Sequence, residues 1–295
     1  MQTKDQIREH YEIERSLADR LRFASREERR TLYTEVYDEL FRRVPHHPQL
    51  TERINIEKRR AAAAHQAKFL CAIGRKKRPV YLEVGPGDCL TSLVMAERAE
   101  KVYAVDVSTE ITKNISAPPN FSLILSDGCS VDVPKESVDV AFSNQLMEHL
   151  HPDDARIQLR NIYLALRPGG RYFIVTPSRA SGPHDVSRHF DKVATGLHLH
   201  EYLLDELIDE CRRVGFDTFY AYIGKDGRYI RIPIWLVQYI ESLAIRLPRR
   251  VAKLAPLRLL VGLRLVAERS ISSSPSSAAD PRHTPQRDNP PIVSM

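Results

Sequence analysis

The sequence predicts an α/β fold in which a mostly parallel sheet is flanked by helices, and three observations support this prediction. Apolar runs with the length of buried parallel strands recur along residues 80–177. Segments with apolar residues at helical spacing separate these runs. Polar or glycine-containing turns follow the strands at their carboxyl ends, where open α/β sheets bind ligands. The chain of 295 residues is therefore read as one large domain with appendages.

The first strand and the turn after it organise the chain. Residues 80–84 are an apolar run, and Gly85 and Gly87 lie in the turn that leads into a helix over 89–95. Two glycines allow positive φ angles and let a ligand approach the backbone without meeting a Cβ atom. A dinucleotide-binding turn would have a third glycine where Leu90 stands. The spacing therefore disfavours a dehydrogenase.

Two further strands also end in acidic residues. The strand at 102–107 contains Asp106, about 20 residues beyond the glycine turn, where a carboxylate can accept both hydroxyl groups of a ribose. The strand at 121–125 is followed by Asp127 and Gly128. These positions indicate a nucleotide-like ligand at the carboxyl edge of the sheet.

The next strand pair completes the central pattern. A strand at 138–142 runs into Asn144, Glu148 and His149, and a helix then starts near Asp153. Residues 167–170 have the sequence Arg-Pro-Gly-Gly, which ends that helix before a strand over 171–177.

Together these features resemble the class I S-adenosylmethionine-dependent methyltransferases, and in particular the broad group that acts on small molecules. The resemblance rests on Glu83-x-Gly85-x-Gly87, on Glu148-His149, on the Pro-Gly-Gly turn and on the order of the four strand ends across residues 80–177. It implies a Rossmann-like sheet of seven strands and S-adenosylmethionine as the cofactor. It places the enzyme core at residues 75–233, with a helical cap over 1–74.

The resemblance also assigns the cofactor site. It implies that Asp106 binds the ribose and that Asp127 binds the adenine amino group. The expected cofactor-binding residues are Glu83, Gly85, Gly87, Asp106, Asp127, Gly128 and Asn144. Because N-terminal helical extensions of this family often fold over the cofactor, aromatic side chains of the cap could shape the acceptor pocket: Tyr11, Tyr33 and Tyr37.

Methyl transfer is an in-line displacement, so the protein mainly aligns donor and acceptor. A hydroxyl acceptor also needs a base, and His149 is the first candidate, followed by His184 and His189 in the histidine-rich segment after the fifth strand. An acidic phenol, a carboxylate or a carbanion would need no base. Some relatives hold a divalent metal with a Glu-x-x-Glu-His pattern, but Gln145 replaces the first of those acids here, so we expect no metal.

The acceptor is expected to be a small molecule, a glycan or a lipid-linked compound, methylated at oxygen. Enzymes that methylate exocyclic amines of nucleic acids carry an Asn/Asp-Pro-Pro-aromatic segment after the fourth strand, whereas residues 143–146 are Ser-Asn-Gln-Leu. We therefore expect no nucleic-acid partner. The alternative to an enzyme is a scaffold or regulatory module that binds the cofactor without turnover.

The C-terminal region is expected to extend the domain. A helix at 203–214, a strand at 216–223 and a strand near 229–232 precede two amphipathic helices at 234–245 and 257–266. The segment 234–269 contains seven basic residues and one acidic residue between Arg246 and Arg269, which accounts for the net charge of +6. It could lie on an anionic membrane surface or pack on the domain with a solvated basic face. Residues 270–295 are expected to be disordered.

The cysteines indicate the compartment. The chain has 4 cysteines without metal-ligand or redox spacing, and its N-terminus does not resemble a signal peptide. We therefore expect a cytoplasmic protein, with peripheral contact at the inner membrane surface as the variant that the basic segment suggests.

Overall fold

The computed structural model describes residues 3–47, 50, 56–108, 116–225, 227–247 and 262–271. Within these ranges the longer helices are α1 (Lys4–Phe23), α2 (Arg26–Arg43), α3 (Ile56–Gly74), α4 (Leu90–Ala96), α5 (Pro152–Ala165), α6 (Leu204–Val214) and α7 (Ile234–Arg246). The strands are β1 (Val80–Val84), β2 (Lys101–Asp106), β3 (Phe121–Leu125), β4 (Val138–Asn144), β5 (Leu166–Thr176), β6 (Thr218–Lys225), β7 (Arg228–Ile232) and β8 (Leu263–Glu268).

The strands form one sheet in the order β3-β2-β1-β4-β5-β8-β6-β7. The first five strands of the chain are mutually parallel, β8 pairs antiparallel with β5 and β6, and β7 pairs antiparallel with β6 at the edge. The predicted α/β fold with a mostly parallel sheet is confirmed, with eight strands in the described residues where we expected seven. The strand order reverses between β1 and β4, which is the point where open α/β sheets bind ligands.

The predicted helix over 257–266 is wrong for its second half. Residues 263–268 are β8, in which Val266 pairs with Phe173 of β5. The interior of β8 is buried on both faces of the sheet at Leu265, Val266 and Ala267, as expected of a central strand. A short apolar run cannot be assigned to helix or strand by periodicity alone. Residues 257–261 and the predicted tail from 272 lie outside the described residues, as do residues 51–55 of the predicted helical cap.

The N-terminal helices pack together over the sheet. Thr3 forms a capping box at the start of α1, and Ser25 forms one at the start of α2. Their apolar faces join the core shared with α5 and α6, while α3 and α4 contribute to a second cluster with the sheet. This arrangement places α2 beside the carboxyl ends of the parallel strands.

Candidate active site

A cavity lies where the carboxyl ends of β1, β2, β3 and β4 meet α2. It is partly open to solvent, and the empty space within it, including solvent at its mouth, is about 740 Å³. Gly85, Gly87, Asp106 and Gly128, all predicted cofactor-binding residues, line it. The structure therefore brings together the segments that the sequence motifs single out.

The glycine turn after β1 has the conformation that its sequence predicts. Gly85 has a φ angle of +68°, and a Cβ atom at this position would lie 2.9 Å from Cδ1 of Leu146. The Gly85 amide donates to the carbonyl oxygen of Val105 over 2.8 Å, which ties the turn to β2. A side chain at residue 85 would thus meet both a strained backbone and an occupied space.

Asp106 closes the opposite side of the turn. One carboxylate oxygen accepts from the Gly87 amide over 3.1 Å and the other from the Ser108 amide over 3.0 Å. Burial raises the pKa of Asp106, and the two amides partly offset this effect. The side chain is held in one orientation at the wall of the cavity.

Gln158 of α5 is a cavity residue that the sequence reasoning missed. Its side chain is 2% exposed, and Nε2 donates to the carbonyl oxygen of Gly128 over 2.8 Å. A carbonyl oxygen can only accept, so the atom of Gln158 that bonds to it is the amide nitrogen, and Oε1 remains available to accept a hydrogen bond. Oε1 has no hydrogen-bond partner among the described residues. A buried acceptor without a partner costs about 1–3 kcal/mol. A ligand with an amino group beside Gly128, such as the adenine of S-adenosylmethionine, fits this need.

Three aromatic side chains of α2 form one wall of the cavity. Tyr33, Tyr37 and Phe41 follow each other at intervals of four residues, so they lie on one face of the helix. Tyr33 and Tyr37 were expected to help shape the acceptor pocket; both line this cavity, as does Phe41, which was not among the expected residues. Tyr11 lies elsewhere: its ring stacks on Phe190 at a centroid distance of 4.4 Å.

Three of the predicted cofactor-binding side chains do not line the cavity: Glu83, Asp127 and Asn144. Glu83 is buried beneath the turn, where it accepts a hydrogen bond from Oγ of Ser92 over 2.5 Å, and burial raises its pKa to about 7. Its position suits it to support the turn from below. Asn144 is exposed at the end of β4.

The carboxylate of Asp127 is engaged by its own loop. Oδ1 accepts from the amides of Cys129 and Ser130 over 3.0 Å and 2.8 Å, and Oδ2 accepts from Nε of Arg30 over 3.0 Å. These bonds lower the pKa of Asp127, although partial burial opposes them. In this conformation Asp127 shapes the loop at Gly128 and joins it to α2.

His149 is the predicted catalytic histidine that lines the cavity. Its Nδ1 atom lies 3.0 Å from the carbonyl oxygen of Leu197, so Nδ1 must carry the proton and donate it. Burial, with a smaller contribution from the neighbouring His198, lowers the pKa of His149 to about 3. The imidazole is therefore neutral at physiological pH, with Nε2 left as an acceptor.

The other two predicted catalytic histidines do not line the cavity. Nε2 of His184 lies 3.1 Å from the carbonyl oxygen of Ser178, and its amide donates to Glu201. His189 is exposed, next to Arg188. His184 and His189 are therefore not part of the site that contains His149, although they lie in the same histidine-rich segment of the sequence.

Glu148 lies behind His149 in the same wall. It is fully buried and accepts a hydrogen bond from Oγ1 of Thr176 over 2.8 Å, and burial raises its pKa to about 7. Its carboxylate and the rings of His149 and His198 bring one potential ligand atom each to within 4.8 Å of one another. The expected absence of a metal at this place stays a prediction.

Comparison with known proteins supports the predicted activity. The model of the family described as "Methyltransferase domain" matches residues 82–174, and the prediction of a methyltransferase is confirmed for this part of the chain. The tRNA N(3)-cytidine methyltransferase METTL6 of Pongo abelii and that of Homo sapiens are each 30% identical to this chain over 94 residues, which is 29% of the chain. The chain matches these curated relatives over about a third of their length, 33%.

A solved structure with a similar fold is the 1,6-didemethyltoxoflavin-N1-methyltransferase of Burkholderia thailandensis, with bound 1,6-didemethyltoxoflavin and S-adenosylhomocysteine. It is 18% identical and covers 80% of this chain and 90% of its own, with a TM-score of 0.47.

The prediction that the chain has no nucleic-acid partner is wrong. The curated relatives that match the domain are named as tRNA methyltransferases. The chain lacks an Asn/Asp-Pro-Pro-aromatic segment at residues 143–146, but that segment is a feature of enzymes that methylate exocyclic amines. A ring nitrogen such as N3 of cytidine is a different acceptor, so the absence of that segment does not exclude RNA.

Proposed function

We propose that this chain, a class I S-adenosylmethionine-dependent methyltransferase whose methyltransferase domain spans residues 82–174, transfers the methyl group to an oxygen atom of its acceptor. The observation that carries this proposal is the neutral His149 in the cavity wall, with its tautomer set by the Leu197 carbonyl. Such an imidazole presents an acceptor nitrogen to a hydroxyl group.

We assign cofactor binding to the residues that line the cavity. The backbone at Gly85 and Gly87 leaves room for the amino-acid portion, and Asp106 presents its carboxylate to the ribose. Oε1 of Gln158 accepts from the adenine amino group, and the ring of Tyr33 covers the loop at Gly128. When bound, S-adenosylmethionine supplies an electrophilic methyl group on a sulfonium.

His149 orients the acceptor and takes its proton. A hydroxyl group that donates to Nε2 has its oxygen lone pair free to attack. As the oxygen bonds to carbon it becomes strongly acidic, so even an imidazole with a pKa of about 3 can receive the proton at that stage. The hydrogen bond from Nδ1 to the carbonyl oxygen of Leu197 then holds the imidazolium ring in the same orientation.

A small molecule, a glycan or a lipid-linked compound is the acceptor class that we propose for this chemistry. A second concavity of about 950 Å³ borders the segment after β5 and is lined by polar side chains, among them Arg179, His198, His200 and Glu201. Such side chains can bind the hydroxyl groups of a sugar or an anionic group of a lipid. We propose that the polar part of such an acceptor binds there.

The second candidate is an RNA acceptor methylated at a ring nitrogen, which the match to tRNA N(3)-cytidine methyltransferases favours. A pyrimidine ring nitrogen carries a lone pair and needs little help from a base. The two candidates therefore differ in their dependence on His149.

The test is methyl uptake from radiolabelled S-adenosylmethionine into separate pools of bulk tRNA, hydroxylated glycans, phenols and lipids. The oxygen proposal predicts label in one of the last three pools and a large loss of turnover in His149→Ala, with unchanged cofactor affinity. Nuclease-sensitive label in tRNA, insensitive to His149→Ala, would establish the second candidate instead. Gly85→Arg serves as the inactive control in both cases.

We also propose a cytoplasmic location with peripheral contact at the inner membrane surface. None of the helices in the described ranges is long and apolar enough to cross a membrane. Helix α7 exposes Trp235, Tyr239 and Leu243 at intervals of four residues, and Arg246 ends it. We expect the chain to sediment with anionic vesicles, and the Trp235→Ser variant to sediment with them to a smaller extent. If the same fraction of the protein is found in the pellet with and without vesicles, the membrane contact is rejected.

A further inference from the structure

A second group of metal-ligating side chains lies outside the cavity, where α1 meets the segment after α2. It consists of His10, Glu14 and His47, each no more than 9% exposed. One ligand atom from each residue lies within 4.8 Å of the other two. None of the three residues lines the cavity, so the proposed methyl transfer does not use them.

The two imidazoles converge on one carboxylate oxygen. Nε2 of His10 lies 2.8 Å from Oε1 of Glu14, and Nε2 of His47 lies 3.7 Å from the same oxygen. His10 and Glu14 are four residues apart on α1, so they face the same side of the helix. His47 comes from a different part of the chain, and the group thus joins two segments.

The surroundings hold the carboxylate in place. Oε2 of Glu14 accepts a hydrogen bond from the amide of Leu197 over 3.4 Å. A hydrogen bond to the second oxygen of a ligating carboxylate is a common way in which proteins orient a metal ligand. Oε1 is left facing the two imidazoles.

Burial opposes the charge of Glu14, but the two imidazoles outweigh this effect and lower its pKa to about 2, so the carboxylate is anionic and can act as a metal ligand. Two histidines and one glutamate are also a known ligand set for Zn²⁺, and imidazole nitrogen suits first-row divalent metals in general. A cation of charge +2 would displace the proton between Nε2 of His10 and Oε1 of Glu14 and bind the carboxylate and both imidazoles. The residue types, their burial and the short distances between their ligand atoms are all consistent with a bound divalent cation.

We propose that His10, Glu14 and His47 form a Zn²⁺ site with a fourth position for water, and that this site fixes α1 to the segment following α2. The ring of Phe41 lies 5.6 Å from that of His47 between centroids, and Phe41 belongs to the aromatic wall of the cavity. The site thereby links the N-terminal helix to the wall that α2 builds. It differs in residues and position from the group of Glu148, His149 and His198.

The test uses the full chain, purified without a polyhistidine tag and stripped of metal by a chelator. Zn²⁺ binding is measured by calorimetry and by metal analysis after dialysis, and Co²⁺ replaces Zn²⁺ for a visible spectrum. We expect about one Zn²⁺ per chain, a rise in Tm on adding the ion, and at least a tenfold loss of affinity in each of His10→Gln, Glu14→Gln and His47→Gln. The Tm of each metal-free variant shows whether it folds.

Two matched controls separate this site from others. His65→Gln removes an exposed histidine of α3 and should leave binding unchanged. His198→Gln removes a ligand of the other group and should also leave the affinity unchanged. Absence of Zn²⁺ and Co²⁺ binding by the wild-type chain would overturn the proposal, as would binding that survives His10→Gln and His47→Gln but is lost in His198→Gln.

Discussion

The hydroxyl group of Tyr33 in α2 donates a hydrogen bond to Oδ2 of Asp154 in α5 over 2.8 Å. The same carboxylate accepts two bonds from Arg29, and the Tyr33 oxygen accepts from the amide of His151 over 2.9 Å. Both Tyr33 and Asp154 are no more than 2% exposed. This network fixes the aromatic wall of the cavity to the methyltransferase domain, although the two residues are far apart in sequence.

Tyr33→Phe is expected to lower the free energy of unfolding by about 1–3 kcal/mol, because it leaves the His151 amide and one bond of Asp154 without a partner. The ring remains against the loop at Gly128, so cofactor affinity should change less than twofold. Tyr33→Ala removes the ring as well and should weaken cofactor binding at least tenfold. Denaturant unfolding and calorimetry measure the two effects, and equal affinity of both variants would contradict the role given to the ring.

Gly85→Arg should abolish cofactor binding. The residue has a φ angle of +68°, and its Cβ position lies 2.9 Å from Leu146, so a side chain there strains the turn and fills the cavity. Gly169→Arg is a matched control, because this glycine also has a positive φ angle, +80°, and lies outside the cavity, where its Cβ position is 3.5 Å from Ile271. Unchanged affinity of Gly85→Arg for S-adenosylhomocysteine would reject the placement of the site.

Gln158→Leu should reduce affinity for S-adenosylmethionine by at least tenfold. The variant removes both the bond to the Gly128 carbonyl and the buried acceptor Oε1. Asn161→Leu is the matched control, since Asn161 also donates to a backbone carbonyl of this loop, that of Cys129, yet does not line the cavity. Equal losses in the two variants would mean that Gln158 acts only by holding the loop.

Glu83→Gln should stabilise the cofactor-free chain at high pH. Burial raises the pKa of Glu83 to about 7 from an ordinary value of 4.5. A raised carboxyl pKa favours folding fully below pH 4.5, and this contribution is lost as the pH rises through about 7. The variant should therefore gain up to about 3 kcal/mol relative to wild type at pH 8, and almost nothing at pH 4.5.

The free energies of unfolding at the two pH values are obtained from urea titrations of both chains. A constant difference between the variant and the wild type across this range would show that Glu83 keeps its ordinary pKa.

The motifs near the glycine turn could be predicted because they are local. Gly85, Gly87 and Asp106 follow from strand ends and spacing alone, and all three line the cavity. Asp127 shows the limit of that reasoning. An acid after β3 has the expected position for adenine, but the amides of its own loop and Arg30 occupy its oxygens. The position of a carboxylate in the sequence does not show which hydrogen-bond donors of the folded protein will bind it.

The remaining residues depend on tertiary packing. Gln158 and Phe41 reach the cavity from helices, and their sequence pattern is that of ordinary core-facing residues. The stripe of Tyr33, Tyr37 and Phe41 was the available signal for the aromatic wall. Strand β8 was missed because its apolar run fits both periodicities, and only pairing with β5 and β6 decides the outcome.

The central claim is that the cavity between α2 and the parallel strands binds S-adenosylmethionine. The most direct test is calorimetric titration of the purified chain with S-adenosylmethionine, S-adenosylhomocysteine and NADH in parallel. We predict saturable binding of the first two compounds, loss of both in Gly85→Arg, and no binding of NADH. Binding of NADH, or binding of the methionine derivatives that Gly85→Arg leaves intact, would contradict the account.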